Sequence, residues 1–173
     1  MSATWDDIVK DWEKIPIATY EFLFTQAKDR FEDLLSESIS ITEKSIDLTK
    51  LAVVSISGFV GYNFKHHPPK EWIVILGFIV LINLIFLVIL MFPKGVVFKG
   101  SPPKEMFRDY LDNPDYTCEE KKLIVYYHEL RRYQWSIDTM RKKNNCRQWY
   151  YGIAIILTVL ITVVTAGLIL STI

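Results

Sequence analysis

Two stretches of the chain lack charged residues and are long enough to cross a lipid bilayer as helices. Residues 72–92 form a run of 21 uncharged positions, and residues 148–173 form a run of 26. A membrane-spanning helix needs about 20 predominantly apolar residues. We therefore predict one spanning helix in each stretch, because the core helix of a soluble domain rarely needs so many apolar turns.

A third stretch is shorter. Residues 51–64 give 14 uncharged positions, and extending them back to Ile46 brings in Asp47 and Lys50. Lysine can extend its charged end to the membrane surface, whereas the aspartate would have to face protein or water. We predict that this stretch also spans and forms a hairpin with residues 72–92 through a tight loop.

The distribution of lysine and arginine predicts the orientation. Residues 1–45 contain five, residues 94–148 contain twelve, the hairpin loop contains two and the C-terminal stretch contains none. Cytoplasmic segments carry the excess of positive charge. Three spans with a cytoplasmic N-terminus place both rich segments inside, so the charge pattern also favours the short first span.

Helical periodicity extends beyond the predicted spans on their cytoplasmic side. Apolar residues recur at spacings of three and four through residues 19–50, and again from Thr117 onward, where Thr117 and Glu120 form a capping box. Each pattern runs into a spanning helix without a break. We expect the two apolar stripes to bury each other as an antiparallel pair, with the surplus covered by neighbouring copies in a homo-oligomer. Shorter helices are predicted before Pro16 and between Ser101 and Leu111.

The predicted fold class is therefore all-α, an integral membrane protein with three transmembrane helices and long cytoplasmic helical extensions. It divides into a cytoplasmic helical region at 1–45 and a transmembrane hairpin at 46–92. A cytoplasmic linker with an amphipathic helix follows at 93–147, and the C-terminal transmembrane helix occupies 148–173.

Composition excludes some function classes. The 20 basic and 20 acidic residues give a net charge of zero, which argues against nucleic acid as a direct ligand. Cys118 and Cys146 lie far apart and make no metal-binding spacing, so reduced thiols are expected. The acidic N-terminus lacks the apolar run of a signal peptide.

No catalytic constellation is recognisable, so we predict that the chain is not an enzyme and uses no cofactor or metal. His66 and His67 are adjacent in the outer loop, where a solvated loop is the simpler interpretation than a metal site. His128 lies in a tyrosine-rich helical segment and is interpreted as a partly buried hydrogen-bonding residue.

Polar residues within the predicted spans are the candidate functional residues. Small and polar positions cluster in the first span, the third span carries a threonine stripe at positions i, i+4 and i+7, and one asparagine lies in the middle of the second. Two interpretations remain open: hydrogen bonding and close packing between helices, or a weakly selective water-filled path between subunits. The candidates are Ser57, Gly58, Gly61, Asn83, Thr158, Thr162 and Thr165.

Aromatic and basic residues mark the edges of the spans. Tryptophan and tyrosine favour the headgroup level of a membrane, and lysine and arginine gather on its cytoplasmic side. The predicted membrane-interface anchors are Trp72, Arg147, Trp149, Tyr150 and Tyr151.

Three segments together resemble the small helical membrane effectors of bacterial antiphage defence. They are "EKSIDLTKLAVVSISGFVGYNF" from Glu43, the apolar span opened by Trp72, and "RRYQWSIDTMRKKNNCRQWYYGIAII" from Arg131. The group includes the membrane domains of nucleotide-gated effectors and the membrane accessory proteins of type VI-B CRISPR systems. The resemblance covers most of the chain from Glu43 onward and rests on layout and a few polar positions.

The resemblance implies an oligomeric effector in the inner (cytoplasmic) membrane that forms a pore or depolarises the membrane during infection. Unlike the nucleotide-gated members, this sequence shows no appended sensor domain. The trigger is therefore expected from a partner protein of the defence system or from a ligand site between subunits. The alternative is a non-conducting membrane scaffold or accessory subunit that recruits a partner through its cytoplasmic helices.

Overall fold

The computed structural model describes residues 11–66, 70–92 and 109–170, and this part of the chain is helical with no strand. A single 3-10 turn at Trp12–Lys14 precedes the α-helices, which are α1 (Ile17–His66), α2 (Lys70–Met91), α3 (Asp109–Asp112) and α4 (Cys118–Leu170). The predicted all-α class is confirmed. The short helices predicted before Pro16 and between Ser101 and Leu111 lie largely outside the described residues.

Helix α1 begins immediately after Pro16, whose carbonyl oxygen accepts hydrogen bonds from the amides of Thr19 and Tyr20 at 2.9 and 3.4 Å. Proline has no amide hydrogen to lose at a helix start, so it suits this position. No glycine or proline then interrupts the helix before Gly58. The predicted continuation from the cytoplasmic pattern into residues 51–64 is confirmed.

The predicted capping box starts α4. The Glu120 amide donates to the Thr117 hydroxyl at 3.3 Å, and the Glu120 carboxylate accepts from the Thr117 amide at 2.7 Å and hydroxyl at 2.8 Å. These bonds to the charged form lower the pKa of Glu120 below its ordinary value. Their contribution is present above the ordinary glutamate pKa of about 4.3 and is lost as pH falls through the lowered one.

The chain divides into two compact units, each assembled from two separated stretches. Unit 1 comprises Met1–Ser36 with Val97–Lys142, and unit 2 comprises Glu37–Val96 with Lys143–Ile173. Both α1 and α4 therefore contribute residues to each unit. These units follow contacts between helices, whereas the four consecutive segments predicted from sequence follow the predicted membrane topology, which stays a prediction.

Unit 1 is held by aromatic and aliphatic residues on facing sides of α1 and α4. Its main core consists of Phe31, Leu34, Tyr133, Ile137 and Met140. A second cluster contains Tyr20, Tyr127 and Leu130, and the Tyr20 hydroxyl donates to the Trp12 carbonyl at 2.9 Å. This bond fixes the 3-10 turn beside α1, because it anchors the backbone there to a buried side chain.

Helices α1 and α4 run in the same direction, so the predicted antiparallel pairing of their stripes is wrong. In unit 1, Phe24 packs edge-on against Tyr126 with ring centres 5.6 Å apart, and Phe31 packs against Tyr133 at 6.0 Å. From the first pair to the second, the residue number rises by seven on each helix, as it does for parallel helices. In unit 2 the hydrogen bonds described below advance in the same way. The physical reason is topological, since one returning helix, α2, separates α1 from α4.

Unit 2 packs the second half of α1, all of α2 and the second half of α4. Its core contains Ile41, Ala52, Leu87, Leu90 and Ala154. Among the described residues, two helices have the length and apolar composition to cross a membrane: α2, over Ile73–Met91, and α4. Only 22% of each apolar window is buried within the chain, so most of this surface faces outward.

The predicted first span at 51–64 is not one of these two helices. Its 14 uncharged residues fall short of the usual length, and Asp47 and Lys50 precede them. In the structure these two side chains form an exposed ion pair at 2.7 Å. The third span therefore stays a prediction.

Candidate functional site

Asparagine and threonine meet in the interior of unit 2. The Asn83 side-chain amide of α2 donates to the Thr158 hydroxyl of α4 at 2.9 Å, and both residues are fully buried. Polar side chains between apolar helices act as interhelical hydrogen-bonding groups, with an average strength of about 0.6 kcal/mol in measured cases. Two residues predicted as site candidates from separate spans are thus in direct contact.

A second polar pair joins α1 to α4. The hydroxyl oxygens of Ser55 and Thr162 lie 2.8 Å apart, and either can donate. One turn further along α1, a β-carbon built on Gly58 would lie 3.4 Å from Cγ2 of Thr165, so a methyl group would just fit there and a larger side chain would meet α4. We call Ser55, Asn83, Thr158, Thr162 and Thr165 the interior cluster.

Several buried polar atoms of unit 2 have no hydrogen-bond partner among the described residues. They include the side-chain oxygens of Asn63, Asn83 and Thr165. A buried polar group without a partner costs about 1–3 kcal/mol, and native structures contain few of them. The interior cluster therefore has unused hydrogen-bonding capacity in an otherwise apolar bundle.

A second polar cluster surrounds Arg147, which is only 9% exposed. Its guanidinium donates to the carbonyl and hydroxyl oxygens of Ser38 at 3.1 and 2.7 Å, and to the Thr42 hydroxyl at 2.7 Å. It also donates to the Leu90 carbonyl at 2.8 Å. Arg147 thus joins all three helices of unit 2.

Glu37 lies beside this cluster and is held by two amides of α4. Its carboxylate accepts from the Asn144 side chain at 3.0 Å and also from the Gln148 side chain. We call Glu37, Ser38, Thr42, Asn144, Arg147 and Gln148, with the Leu90 carbonyl, the Arg147 cluster.

An apolar layer lies between the two clusters along each helix. Ala52 lies between Thr42 and Ser55 on α1, Leu87 between Asn83 and Leu90 on α2, and Ala154 between Arg147 and Thr158 on α4. These layer residues belong to the buried core of unit 2. Ser45 and Thr49 lie on α1 between Thr42 and this layer, and their hydroxyls donate to carbonyls of their own helix at 2.6 and 2.7 Å. The layer of Ala52, Leu87 and Ala154 alone therefore separates the polar groups on its two sides.

Other predicted packing residues lie on the outside of unit 2. Ser57 is exposed, and its hydroxyl donates to the Val53 carbonyl at 2.8 Å within its own helix. A β-carbon on Gly61 would meet nothing within 4 Å. Contact at Ser57 and Gly61 would therefore need another molecule, and their predicted packing role stays a prediction.

The predicted interface anchors have different environments. Trp149 is 66% exposed, and Tyr150 and Tyr151 are half-buried against the apolar core of unit 2. Arg147, in contrast, points into the bundle. The side chain of Trp72 lies outside the described part of the structure.

Sequence reasoning missed most of the Arg147 cluster. A usable signal existed, because Ser38 continues the buried three-and-four spacing of α1 between Leu34 and Ile41. Likewise, Asn144 and Arg147 continue that of α4 after Met140. Polar residues in a buried helical stripe need partners, and that requirement predicts contacts between them.

Neither a metal site nor a disulfide is found within residues 11–66, 70–92 and 109–170. No group of three or more potential ligands is present there, and Cys118 and Cys146 are exposed free thiols. His67 and the side chain of His66 lie outside the described residues. In comparisons, no protein-family model, curated protein or solved structure matches the chain.

Proposed function

We propose that the chain is an oligomeric membrane effector that depolarises the bacterial inner membrane in antiviral defence. The interior cluster carries this proposal, because buried polar residues in an apolar bundle are costly and usually functional. Asn83 and Thr165 both retain buried oxygen atoms without partners among the described residues. The resemblance to small membrane effectors of antiphage defence supports the choice of process.

The outer surface of α2 supports insertion into a bilayer. Its apolar window is mostly unburied within the chain, and its exposed residues include Val74, Phe78, Leu81 and Ile85. Water would make so large an exposed apolar surface unfavourable, at about 25 cal/mol per Å². Lipid, or further copies of the chain within lipid, would cover it without this cost.

The structure corresponds to a closed state in this proposal. The Asn83–Thr158 and Ser55–Thr162 pairs bring the helices into direct contact, and the apolar layer separates the interior cluster from the Arg147 cluster. Apolar constrictions hold a pore shut by excluding water. Activation would separate these helices, within one chain or between copies, and allow water to reach the unused polar atoms.

Orientation supplies a first prediction. A reporter fused after Ile173 is expected to lie in the periplasm, and one inserted near Asn113 in the cytoplasm, because the lysine- and arginine-rich segments remain inside. Paired alkaline phosphatase and fluorescent-protein fusions measure both positions. A cytoplasmic C-terminus would show that residues 51–64 do not cross the membrane.

A charge at Asn83 tests the function. Asn83→Asp is expected to raise resting permeability and slow growth without infection, because an ionised carboxylate draws water into the interior cluster. Ile85→Asp, at an outward-facing position of the same helix, is the matched control. On insertion scales either charge costs about 2.5–3.5 kcal/mol, so a dye-based potential measurement is normalised to protein in the membrane fraction.

The control distinguishes a wetted interior from damaged lipid packing. Depolarisation by Asn83→Asp alone, at equal membrane levels, supports the effector. Equal effects of both variants, or unchanged potential in both, contradict it.

The second candidate is a non-conducting scaffold that recruits a partner through its cytoplasmic helices. The direct pairing of Asn83 with Thr158 favours it, because paired side chains can serve packing alone. In that case Asn83→Leu with Thr158→Val would leave partner recruitment intact, since the apolar pair replaces the bond without leaving a polar atom unpaired.

A further inference from the structure

Arg147 carries a buried positive charge, and all of its hydrogen-bond acceptors are neutral. Its four hydrogen bonds go to two backbone carbonyls and two hydroxyls. Its Nε has no partner among the described residues. Since the guanidinium stays protonated at all physiological pH values, its desolvation is only partly compensated.

The carboxylate of Glu37 lies beside the acceptors of Arg147, but it is hydrogen-bonded to other residues. Glu37 directly precedes Ser38, which accepts two hydrogen bonds from Arg147. Its own partners, Asn144 and Gln148, lie three residues before and one residue after Arg147 on α4. Within the described residues, Glu37 and Arg147 form no ion pair, although they share one short patch of α1 and α4.

The guanidinium of Arg147 lies at the C-terminal end of α2, where it bonds the Leu90 carbonyl. Leu90 is one residue from the end of α2, and the last four carbonyls of a helix lack partners within it. Arginine at a helix C-terminus both bonds such a carbonyl and interacts favourably with the helix dipole. Arg147 therefore caps α2 and ties its end to α1 and α4.

We propose that the Arg147 cluster is a two-position latch. In the position observed, Arg147 caps α2 while Asn144 and Gln148 hold Glu37 apart from it. In the second position, Arg147 pairs with Glu37 and releases the Leu90 carbonyl and the end of α2. An arginine–carboxylate pair joins opposite charges and can form two parallel hydrogen bonds, so freeing Glu37 from its amides makes the second position more favourable.

The latch goes beyond the proposed function, because it concerns release of the end of α2 from Arg147 and not the passage of ions. The Thr49 hydroxyl lies 3.7 Å from the sulfur of Met91 and reports whether the end of α2 rests against α1. Cysteines at these two positions, in a Cys118→Ser/Cys146→Ser background, are expected to form an oxidant-induced disulfide rapidly in membranes.

Removing the amides should open the latch, and removing the carboxylate should close it again. Asn144→Leu with Gln148→Leu is expected to slow disulfide formation at least about fivefold, equivalent to about 1 kcal/mol. Adding Glu37→Gln should restore the original rate, because Arg147 then has no carboxylate to move to. A general loss of packing from the two missing hydrogen bonds would not be confined to the end of α2, and a second cysteine pair detects it.

A cysteine pair at Ser55 and Thr162 serves as the control for general unfolding, since these hydroxyls are in contact in the interior cluster. Its cross-linking should be the same in all variants. The latch is overturned by an unchanged rate at Thr49 and Met91 in the double variant, by failure of Glu37→Gln to restore it, or by a parallel loss at the control pair.

Discussion

Replacement of Arg147 by alanine should lower the melting temperature of the detergent-solubilised protein by roughly 10 °C. The change removes four hydrogen bonds from a charged donor and leaves the Leu90 carbonyl without its side-chain cap. Bonds to charged groups contribute about 1.5–3 kcal/mol each, and relief of the desolvation cost offsets part of the sum. A net loss of about 3 kcal/mol corresponds to that temperature shift for a chain of this size.

Arg141→Ala is the matched control. Arg141 carries the same charge six residues earlier on α4, but it is exposed. Its removal should change the melting temperature by no more than about 2 °C, because surface substitutions usually cost less than about 0.5 kcal/mol. Similar shifts for the two variants would show that the positive charge of this part of α4 determines the effect and that the buried contacts of Arg147 do not.

The second large effect is expected at Gly58. Leucine there would place its β-carbon 3.4 Å from Cγ2 of Thr165 and its branch further into the contact between α1 and α4. Forcing extra carbon atoms into a packed interior costs about 1–3 kcal/mol. Gly58→Leu should therefore lower the melting temperature and weaken cross-linking between cysteines at positions 55 and 162.

The variant Gly61→Leu distinguishes helix packing within one chain from contact between chains in an oligomer. Its β-carbon position is open, so the melting temperature of the single chain should be preserved. We expect instead that it reduces the mass of the detergent-solubilised oligomer, because small residues permit close approach of helices in membranes. An unchanged mass would mean that Gly61 faces lipid or solvent in the assembly.

The sequence predicted the helices well because their signals are local. Pro16 precedes α1, and Thr117 and Glu120 cap α4. The regular apolar spacing of the first half of each helix passes without a break into the following apolar stretch. Each signal depends on residues within one or two turns, so no knowledge of distant contacts was needed.

The pairing between helices was less accessible, because it depends on residues far apart in sequence. Periodicity identifies a buried stripe but does not give the direction of its partner, which led to the wrong antiparallel arrangement. Asn83 and the threonine stripe were recognisable as polar residues in apolar helices. The contacts of Asn83 with Thr158 and of Ser55 with Thr162 depend on the register of three helices, which the sequence does not give.

Two sequence signals coincide at Arg147, and whether it lies at a membrane surface stays a prediction. A basic residue beside aromatic residues is typical of the membrane surface, and that pattern predicted an anchor. The same position also continues the buried stripe of α4. The stripe determined its environment, since the end of α2 and two hydroxyl-bearing residues of α1 provide acceptors that compensate part of its burial.

The parallel arrangement of α1 and α4 constrains the order of events during synthesis. A ribosome completes Ser55 long before Thr162, its partner 107 residues later. During that interval the Ser55 hydroxyl can still donate to the Leu51 carbonyl of its own helix, at 3.0 Å, but α4 is not yet present to pack against it. The contacts between α1 and α4 in unit 2 therefore form only when synthesis of the chain is almost complete.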